Sequence, residues 1–348
     1  MNLKAGTLVE VRGREEILRT LDTDGTYERM PFMPEMLRYC GKQFRVAAVA
    51  HKTCDSAFKT GGRRLQNAVH LENLRCDGSA HGGCQATCLL FWKTAWLKDV
   101  DATTGGEEKP VAGVSEDQLL AATVKRGTDS TEPIYVCQAT QLYHATTLLP
   151  WWDVRQFWRD IRYGNVSMPR AARVLTVAMF RWMTTIGFGY KIAVWAYKKV
   201  HLALNGFPAP LGNGLIPRGE ATPTCHLGLK PGELVHVRSH DEIKRTISTG
   251  NKNRGMWFDH EMVKFSGRTY RVARRVDRII DEVSGKMLNM KEPCIVLENV
   301  WCTAEYTDSR LLCRRAVTTY WRENWLERAD DGQPAREREA DLGAAKNL

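Results

Sequence analysis

Apolar and polar residues follow nearly the same order in two distant parts of this chain. Residues 3–21 read LKAGTLVEVRGREEILRTL and residues 229–247 read LKPGELVHVRSHDEIKRTI, with 11 of the 19 positions identical at a shift of 226. In both stretches an alternating apolar run predicts a strand, and apolar residues three to four apart then predict a short helix. The shared pattern indicates a duplicated domain.

Further matches extend the duplication. The same shift carries FRVA at residues 44–47 onto YRVA at residues 270–273 and LEN at 71–73 onto 297–299. After a slip of three residues, Trp92 and Trp96 fall on Trp321 and Trp325. We call residues 1–100 copy one and residues 211–328 copy two. A residue kept in both copies is expected to serve the fold, whereas a residue present in one copy is free to serve a site.

The periodicity predicts small antiparallel sheets. In copy one, strands are expected near residues 44–50 and 68–75, and a closing helix is expected through LLFWKTAWL. In copy two, a hairpin is expected to turn at Ser284-Gly285. We therefore predict an α+β fold: a tandem repeat of a small SH3-like β-barrel domain with a closing helix, joined by a helical, basic middle segment. The SH3-like part is an analogy of shape.

Three other regions complete the predicted organisation. Residues 101–132 read as a polar linker, in which Ser115 and Gln118 form a capping box for a short helix. Residues 133–210 are the basic, aromatic and helical middle segment, with one helix over 151–165 and a second from Ser167 to about residue 204. Residues 329–348 have almost no apolar content and are expected to be disordered.

Most of the net charge of +10 lies in the middle segment. Residues 151–207 contain nine Arg or Lys against two acids, together with 12 aromatic residues. A helix of this composition is typical of one that lies on an anionic membrane surface. The candidate contacts with that surface are Arg155, Arg159, Arg162, Arg170, Arg173, Arg181, Lys191, Lys198 and Lys199. Packing between the copies is the structural alternative, and nucleic-acid binding is less favoured because Val, Leu, Ile and Met accompany the aromatic residues.

Ten cysteines supply the main candidate chemistry. The first residues lack the pattern of a signal peptide, so we expect a cytoplasmic protein, at the inner face of the membrane, whose thiols stay reduced. In such a protein clustered cysteines favour metal binding or catalysis over disulfides. Of the five cysteines of copy one, two correspond to cysteines of copy two and three do not, in the order Cys40/Ser266, Cys54/Ile280, Cys76/Cys302, Cys84/Cys313 and Cys88/Val317. This asymmetry predicts that copy one is the chemically competent copy.

The sequence CDGSAHGGCQATC predicts a metal site in copy one. Gly82 and Gly83 allow the backbone to bend so that several side chains converge. The predicted ligands are Cys54, Cys76, Cys84 and Cys88, with Cys137, His51 and His81 as additional candidates. Four thiolates suit an iron–sulfur cluster or zinc. The spacing, which has no Cys-x2-Cys knuckle, slightly favours the cluster.

Two alternatives for these cysteines stay open. They could be buried reduced thiols, or Cys76 or Cys84 could be a nucleophile activated by His81. We also expect Glu35 and Glu261, which recur in both copies, to make a structural hydrogen bond. The leading hypothesis is a metal-thiolate protein that acts as an electron-transfer or accessory factor for a partner enzyme. The alternative is a metal-free adaptor that binds a partner protein or nucleic acid.

Overall fold

The computed structural model describes residues 3–100, 113–126, 132–186 and 189–329. The fold is mixed α+β, with several antiparallel sheets, a few helices and a sheet curled into a half-barrel. Residues 330–348 of the predicted tail lie outside the described residues, and so do residues 101–112 and 127–131 of the predicted linker.

Copy one is built on a five-stranded sheet with the strand order β8-β7-β4-β1-β9. Helix α1 spans Arg14–Thr20, and 3-10 helices span Pro34–Tyr39 and Thr94–Trp96. The strands are β1 Leu8–Val11, β2 Thr26–Tyr27, β3 Met30–Pro31, β4 Gln43–Val49, β5 Lys52–Asp55, β6 Gly61–Arg64, β7 Ala68–Leu71, β8 Trp92–Lys93 and β9 Leu97–Asp99. Trp92 and Trp96 are fully buried in its core, as their recurrence in both copies predicts.

The middle segment contains most of the helical residues. The linker contains α2 Glu116–Ala121 and β10 Val124–Arg126, and the middle segment contains β11 Pro133–Tyr135, α3 Gln138–Gln141, β12 Thr147–Leu148, α4 Arg155–Arg162, α5 Met168–Met183 and α6 Tyr190–Asn205. Ser115 caps α2 with Gln118 in the predicted capping box. The prediction of one long helix after Ser167 is wrong. The chain leaves the helix after Met183 and re-enters it at Tyr190, so α5 and α6 form a hairpin.

Copy two repeats the plan of copy one. Helix α7 spans His240–Lys244, and 3-10 helices span His260–Phe265, Asp308–Arg310 and Glu323–Trp325. The strands are β13 Leu234–Val237, β14 Lys252–Asn253, β15 Met256–Trp257, β16 Thr269–Ile280, β17 Met287–Leu297 and β18 Leu326–Arg328. The predicted hairpin is confirmed as β16 and β17.

Strand register repeats between the copies as well as strand position. In copy one Val9 faces Phe44 and Asp99, and in copy two Val235 faces Tyr270 and Arg328. Left-handed backbone positions recur in the same way. They pair as Asn73/Asn299, Gly78/Ala304, Gly83/Leu312 and Thr87/Ala316. Residues other than glycine adopt this conformation at a cost, so its recurrence shows that both copies need the same loop path.

The predicted closing helix is wrong in both copies. LLFWKTAWL forms β8, a single 3-10 turn and β9, and the corresponding part of copy two forms a 3-10 turn and β18. Backbone pairing explains the difference. Strand β9 completes the sheet by pairing with β1, with Val11 opposite Leu97, and β18 pairs with β13 in the same way. Each pair of tryptophans is therefore placed in the core by strands and a 3-10 turn, and not by one face of a helix.

The two copies contact each other reciprocally. Residues 52–55 of copy one approach residues 311–315 of copy two, where Lys52 Nζ donates to Leu311 O at 2.9 Å. The equivalent residues 278–281 of copy two approach residues 82–85 of copy one, where the Ile280 N–H donates to Cys84 Sγ at 3.3 Å. Ser56 and Glu282, themselves equivalent at the shift of 226, are hydrogen-bonded at 2.6 Å. This exchange is typical of two-fold pairing between copies of one domain.

Candidate metal site

A buried group of three side chains lies at the start of the glycine-rich loop of copy one. Cys76 and His81 belong to the loop that follows β7, and Glu35 belongs to the 3-10 helix Pro34–Tyr39. The loop folds tightly because Gly78 and Gly83 are left-handed and the Gly83 N–H donates to Gly78 O at 2.9 Å. A Cβ on Gly78 would collide with the backbone of Cys84. This close turn directs His81 back toward Cys76.

The ligand atoms of Glu35, Cys76 and His81 all lie within 4.8 Å of one another. Cys76 Sγ is 3.4 Å from Glu35 Oε1 and 3.4 Å from His81 Nε2. His81 is 1 % exposed and Glu35 is 7 % exposed. Glu35 Oε2 and His81 Nδ1 have no hydrogen-bond partner, although buried polar atoms are normally paired. The group could hold a metal ion.

Burial dominates the electrostatics of the site. It raises the pKa of the Glu35 carboxyl and of the Cys76 thiol, and it lowers the pKa of the His81 imidazole. All three shifts favour the uncharged form of each side chain. With a divalent cation bound, a Glu35 carboxylate and a Cys76 thiolate would together balance its charge, and His81 would bind as the neutral imidazole.

The raised pKa of Cys76 also bears on the nucleophile hypothesis. A reactive cysteine needs a depressed pKa so that the thiolate is populated near neutral pH. Burial and the neighbouring Glu35 act on Cys76 in the opposite direction. The contact between Cys76 and His81 therefore suits metal ligation better than nucleophilic attack.

Copy two provides an internal comparison for this group. Glu261, the equivalent of Glu35, accepts hydrogen bonds from the backbone N–H groups of Glu305 at 3.0 Å and Tyr306 at 2.7 Å. There the glutamate has the structural role predicted for both copies. In copy one the corresponding loop is held by Asp77, whose Oδ1 accepts from the Ser79 N–H at 2.9 Å. Copy two has Thr303 in place of Asp77, so the equivalent loops are held by different carboxylates, Asp77 in copy one and Glu261 in copy two.

The third member of the group also differs between the copies. Three residues before the equivalent pair Cys84 and Cys313, copy one has His81 and copy two has Arg310. Arg310 forms an ion pair with Asp259 and interacts electrostatically with Glu261 and Cys302. Copy two therefore has the guanidinium cation of Arg310 near Glu261 and Cys302. At the equivalent position copy one has His81, which could bind a metal cation.

The other predicted thiols of copy one surround this group without joining it. The Cys76 N–H donates to Cys88 O at 2.8 Å, which places the two cysteines across an antiparallel pairing. Cys84 Sγ accepts from the Ile280 N–H, and Cys137 is buried at the start of α3. Burial raises the pKa of Cys88 to about 12 and that of Cys137 to about 11. Among the described residues, the group whose ligand atoms converge comprises Glu35, Cys76 and His81 and does not include Cys88.

Cys54 and His51 lie in other environments. Cys54 packs with Cys302 and Cys313 in a small cluster between the copies. Its thiol hydrogen-bonds with Cys313, and this bond lowers the pKa of Cys54. His51 Nε2 is 2.8 Å from Asp160 Oδ1. The four cysteines predicted from spacing therefore do not form one group, because the side chain of Cys54, on β5, packs against copy two.

The basic residues predicted to contact a membrane also lie in different environments. Arg170 and Arg173 form ion pairs with the buried Glu305 and so attach α5 to copy two, whereas Arg155 pairs with Asp153. Lys191, Lys198 and Lys199 are exposed on α6, and Arg162 is exposed on α4. Within the described residues no helix is both long enough and apolar enough to span a membrane.

Sequence reasoning missed Glu35 as a candidate ligand. Its recurrence as Glu261 pointed to a structural role, and the differences between Asp77 and Thr303 and between His81 and Arg310 signalled that the two glutamates have different surroundings. No protein-family model matches this chain, and no curated protein matches its sequence.

Proposed function

We propose that copy one binds a single zinc ion and that the protein is a metal-stabilised accessory factor. The buried convergence of Glu35, Cys76 and His81 carries this proposal. Zinc accepts oxygen, nitrogen and sulfur ligands together, whereas an iron–sulfur cluster is held mainly by several thiolates. This group contributes one thiol, so the mixed donor set supports zinc rather than a cluster.

The role proposed for the metal is to fix the loop that supports the contact between the copies. The loop that carries His81 continues directly into Cys84 and Gln85. The Gln85 N–H donates to Arg278 O at 3.1 Å, and Cys84 accepts from Ile280. We also propose that each copy is a small SH3-like barrel. The repeated element order and strand register support this finer description.

Metal analysis of protein purified without oxygen tests the zinc proposal. We expect about one zinc per chain and no visible absorption, because zinc has a filled d shell. Iron and sulfide with broad visible absorption would contradict zinc and favour electron transfer. Protein that binds neither metal, also after refolding with added zinc, would contradict the proposal and leave the metal-free adaptor.

A second proposed function is binding to an anionic membrane surface through the α5–α6 hairpin. Trp182, Ile186, Ile192 and Trp195 are each more than half exposed. Lys191, Trp195 and Lys198 are spaced at i, i+4 and i+7 and share one face of α6. Such a face combines rings that enter the interface with lysines that reach the headgroup phosphates.

Co-sedimentation with anionic vesicles tests this second function. Exchanging Lys191 and Lys198 for glutamate should weaken binding at least tenfold, because each basic residue near such a surface contributes about 1 kcal/mol. Trp195→Ala should also weaken binding, whereas Trp257→Ala, which removes an exposed tryptophan of copy two, should not. Equal sedimentation of all variants, or none by the wild type in about 0.1 M salt, would contradict the function.

A further inference from the structure

An apolar cavity of about 350 Å³ lies between α5, the residues before α4 and the loop at 309–313 of copy two. Its walls are mainly apolar and include Trp151, Trp152, Ala178, Met179, Trp182 and Leu311. Trp151 is 68 % exposed and Trp182 is 52 % exposed, so the rings at the edge of the cavity are in contact with solvent. This site is separate from the Glu35–Cys76–His81 group, and it shares Trp182 with the α5–α6 hairpin of the second proposed function.

The volume and the lining restrict what the cavity can hold. It is at the small end of the range for ligand pockets, about 300–1,000 Å³, which excludes a folded partner element. At about 30 Å³ for each water-sized group, it holds about a dozen non-hydrogen atoms. Cavities with apolar walls tend to stay dry and to bind apolar molecules.

One side of the cavity carries an unsatisfied polar group. Thr53, on β5, lines the cavity and is 1 % exposed, and its Oγ1 has no hydrogen-bond partner. A buried hydroxyl without a partner is unfavourable, so a ligand that hydrogen-bonds to it gains affinity. Thr53 therefore marks where the polar end of a ligand would lie.

The charges around the cavity define the class of that polar end. Lys52 lines the cavity, but its Nζ is 2.6 Å from Asp160 Oδ2 and also donates to Leu311 O. Arg310 lines the cavity as well, and it is paired with Asp259. Because each lining cation already has an acidic partner, the cavity offers no uncompensated charge for a carboxylate or a phosphate.

We propose that this cavity binds a single alkyl chain that ends in a neutral hydrogen-bonding group, such as an alcohol. The chain lies against the tryptophans and the apolar face of α5, and the neutral end hydrogen-bonds to Thr53 Oγ1. The open, tryptophan-lined edge is continuous with the exposed apolar residues of α5, which provides a route of entry for an apolar chain.

Calorimetric titration with 1-decanol and with sodium decanoate, without vesicles, tests the proposal. Wild-type protein should bind one molecule of 1-decanol and should bind decanoate more weakly. Thr53→Val keeps the shape of the side chain and removes the hydroxyl, so it should weaken 1-decanol binding about five- to tenfold without lowering the melting temperature.

Two replacements of alanine by phenylalanine on α5 distinguish binding in the cavity from binding to the surface. Ala178→Phe fills the cavity and should abolish binding of 1-decanol, whereas Ala172→Phe, at an exposed position of the same helix, should leave it unchanged. Binding that does not saturate, or that is the same in Ala178→Phe, would overturn the cavity as the site. Tighter binding of decanoate than of 1-decanol would overturn the neutral end group.

Discussion

Replacing Cys76 with serine is expected to remove the bound zinc and to lower the melting temperature by about 6 °C. At a free zinc concentration of about 1,000 times the dissociation constant, binding to the folded state alone contributes about 4 kcal/mol. For 348 residues, with an unfolding entropy of about 2.1 cal/mol/K per residue, each kcal/mol corresponds to roughly 1.4 °C. Serine keeps the shape of the side chain but removes the thiolate, so the loss reports on ligation.

The duplication provides the control for this experiment. Cys302→Ser removes the equivalent thiol of copy two, next to Glu261, and should leave the zinc content unchanged. A chelator should lower the melting temperature of the wild type by about the same amount and should not affect Cys76→Ser. If the two serine variants lose zinc equally, or if the chelator lowers the melting temperature of Cys76→Ser as well, the site assignment is wrong.

The same site should bind metal more tightly at higher pH. Burial raises the pKa of both the Cys76 thiol and the Glu35 carboxyl, so both must lose protons to become ligands. Metal binding then releases protons, and the affinity rises with pH. The increase in melting temperature that zinc produces should therefore be larger at pH 8 than at pH 6.

Replacing Asp160 with asparagine is expected to lower the free energy of unfolding by about 3–5 kcal/mol at pH 7. Asp160 is fully buried and lies 2.6 Å from Lys52 Nζ and 2.8 Å from His51 Nε2. Lys52 is itself buried and extends to Leu311 of copy two. The substitution leaves the ammonium group inside the protein without its counter-charge, at the junction of copy one, α4 and copy two.

The pH dependence of this loss follows from Lys52. Burial lowers the pKa of Lys52 and Asp160 opposes that effect, so the pKa falls further without Asp160. A lysine whose folded pKa is depressed contributes stability that is present above its unfolded pKa and is lost as pH falls. The deficit of Asp160→Asn should therefore shrink between pH 7 and pH 10.

Urea unfolding at both pH values measures the loss. Asp277→Asn, which changes an exposed aspartate on β16, is the control and should stay within about 0.5 kcal/mol of wild type. Adding Lys52→Met to Asp160→Asn should restore part of the stability, because it removes the unpaired cation. A loss in the free energy of unfolding below 1 kcal/mol at pH 7 would show that Asp160 and Lys52 do not form a buried ion pair.

Local pattern was sufficient for much of the fold. Alternation predicted β1, β4, β16 and β17, spacing predicted α1, and the capping box at Ser115 predicted α2. The recurrence of the four tryptophans predicted their burial. These predictions hold because they depend on side chains that are close in sequence. The closing helix failed because strand pairing with β1 and β13, a contact distant in sequence, overrode a short apolar run.

The matching residues at a shift of 226 indicated a duplication from the amino-acid sequence alone, and they singled out the Cys and His residues present only in copy one. Only the tertiary structure decided which of them meet. Cys54, on β5, packs against copy two. Glu35, which precedes Cys76 by 41 residues, lies next to Cys76 and His81. The physical reason is that ligand geometry depends on how distant segments pack. Spacing along the chain describes only the loop from Cys76 to Cys88, and the 3-10 helix Pro34–Tyr39 supplies the third side chain of the candidate site.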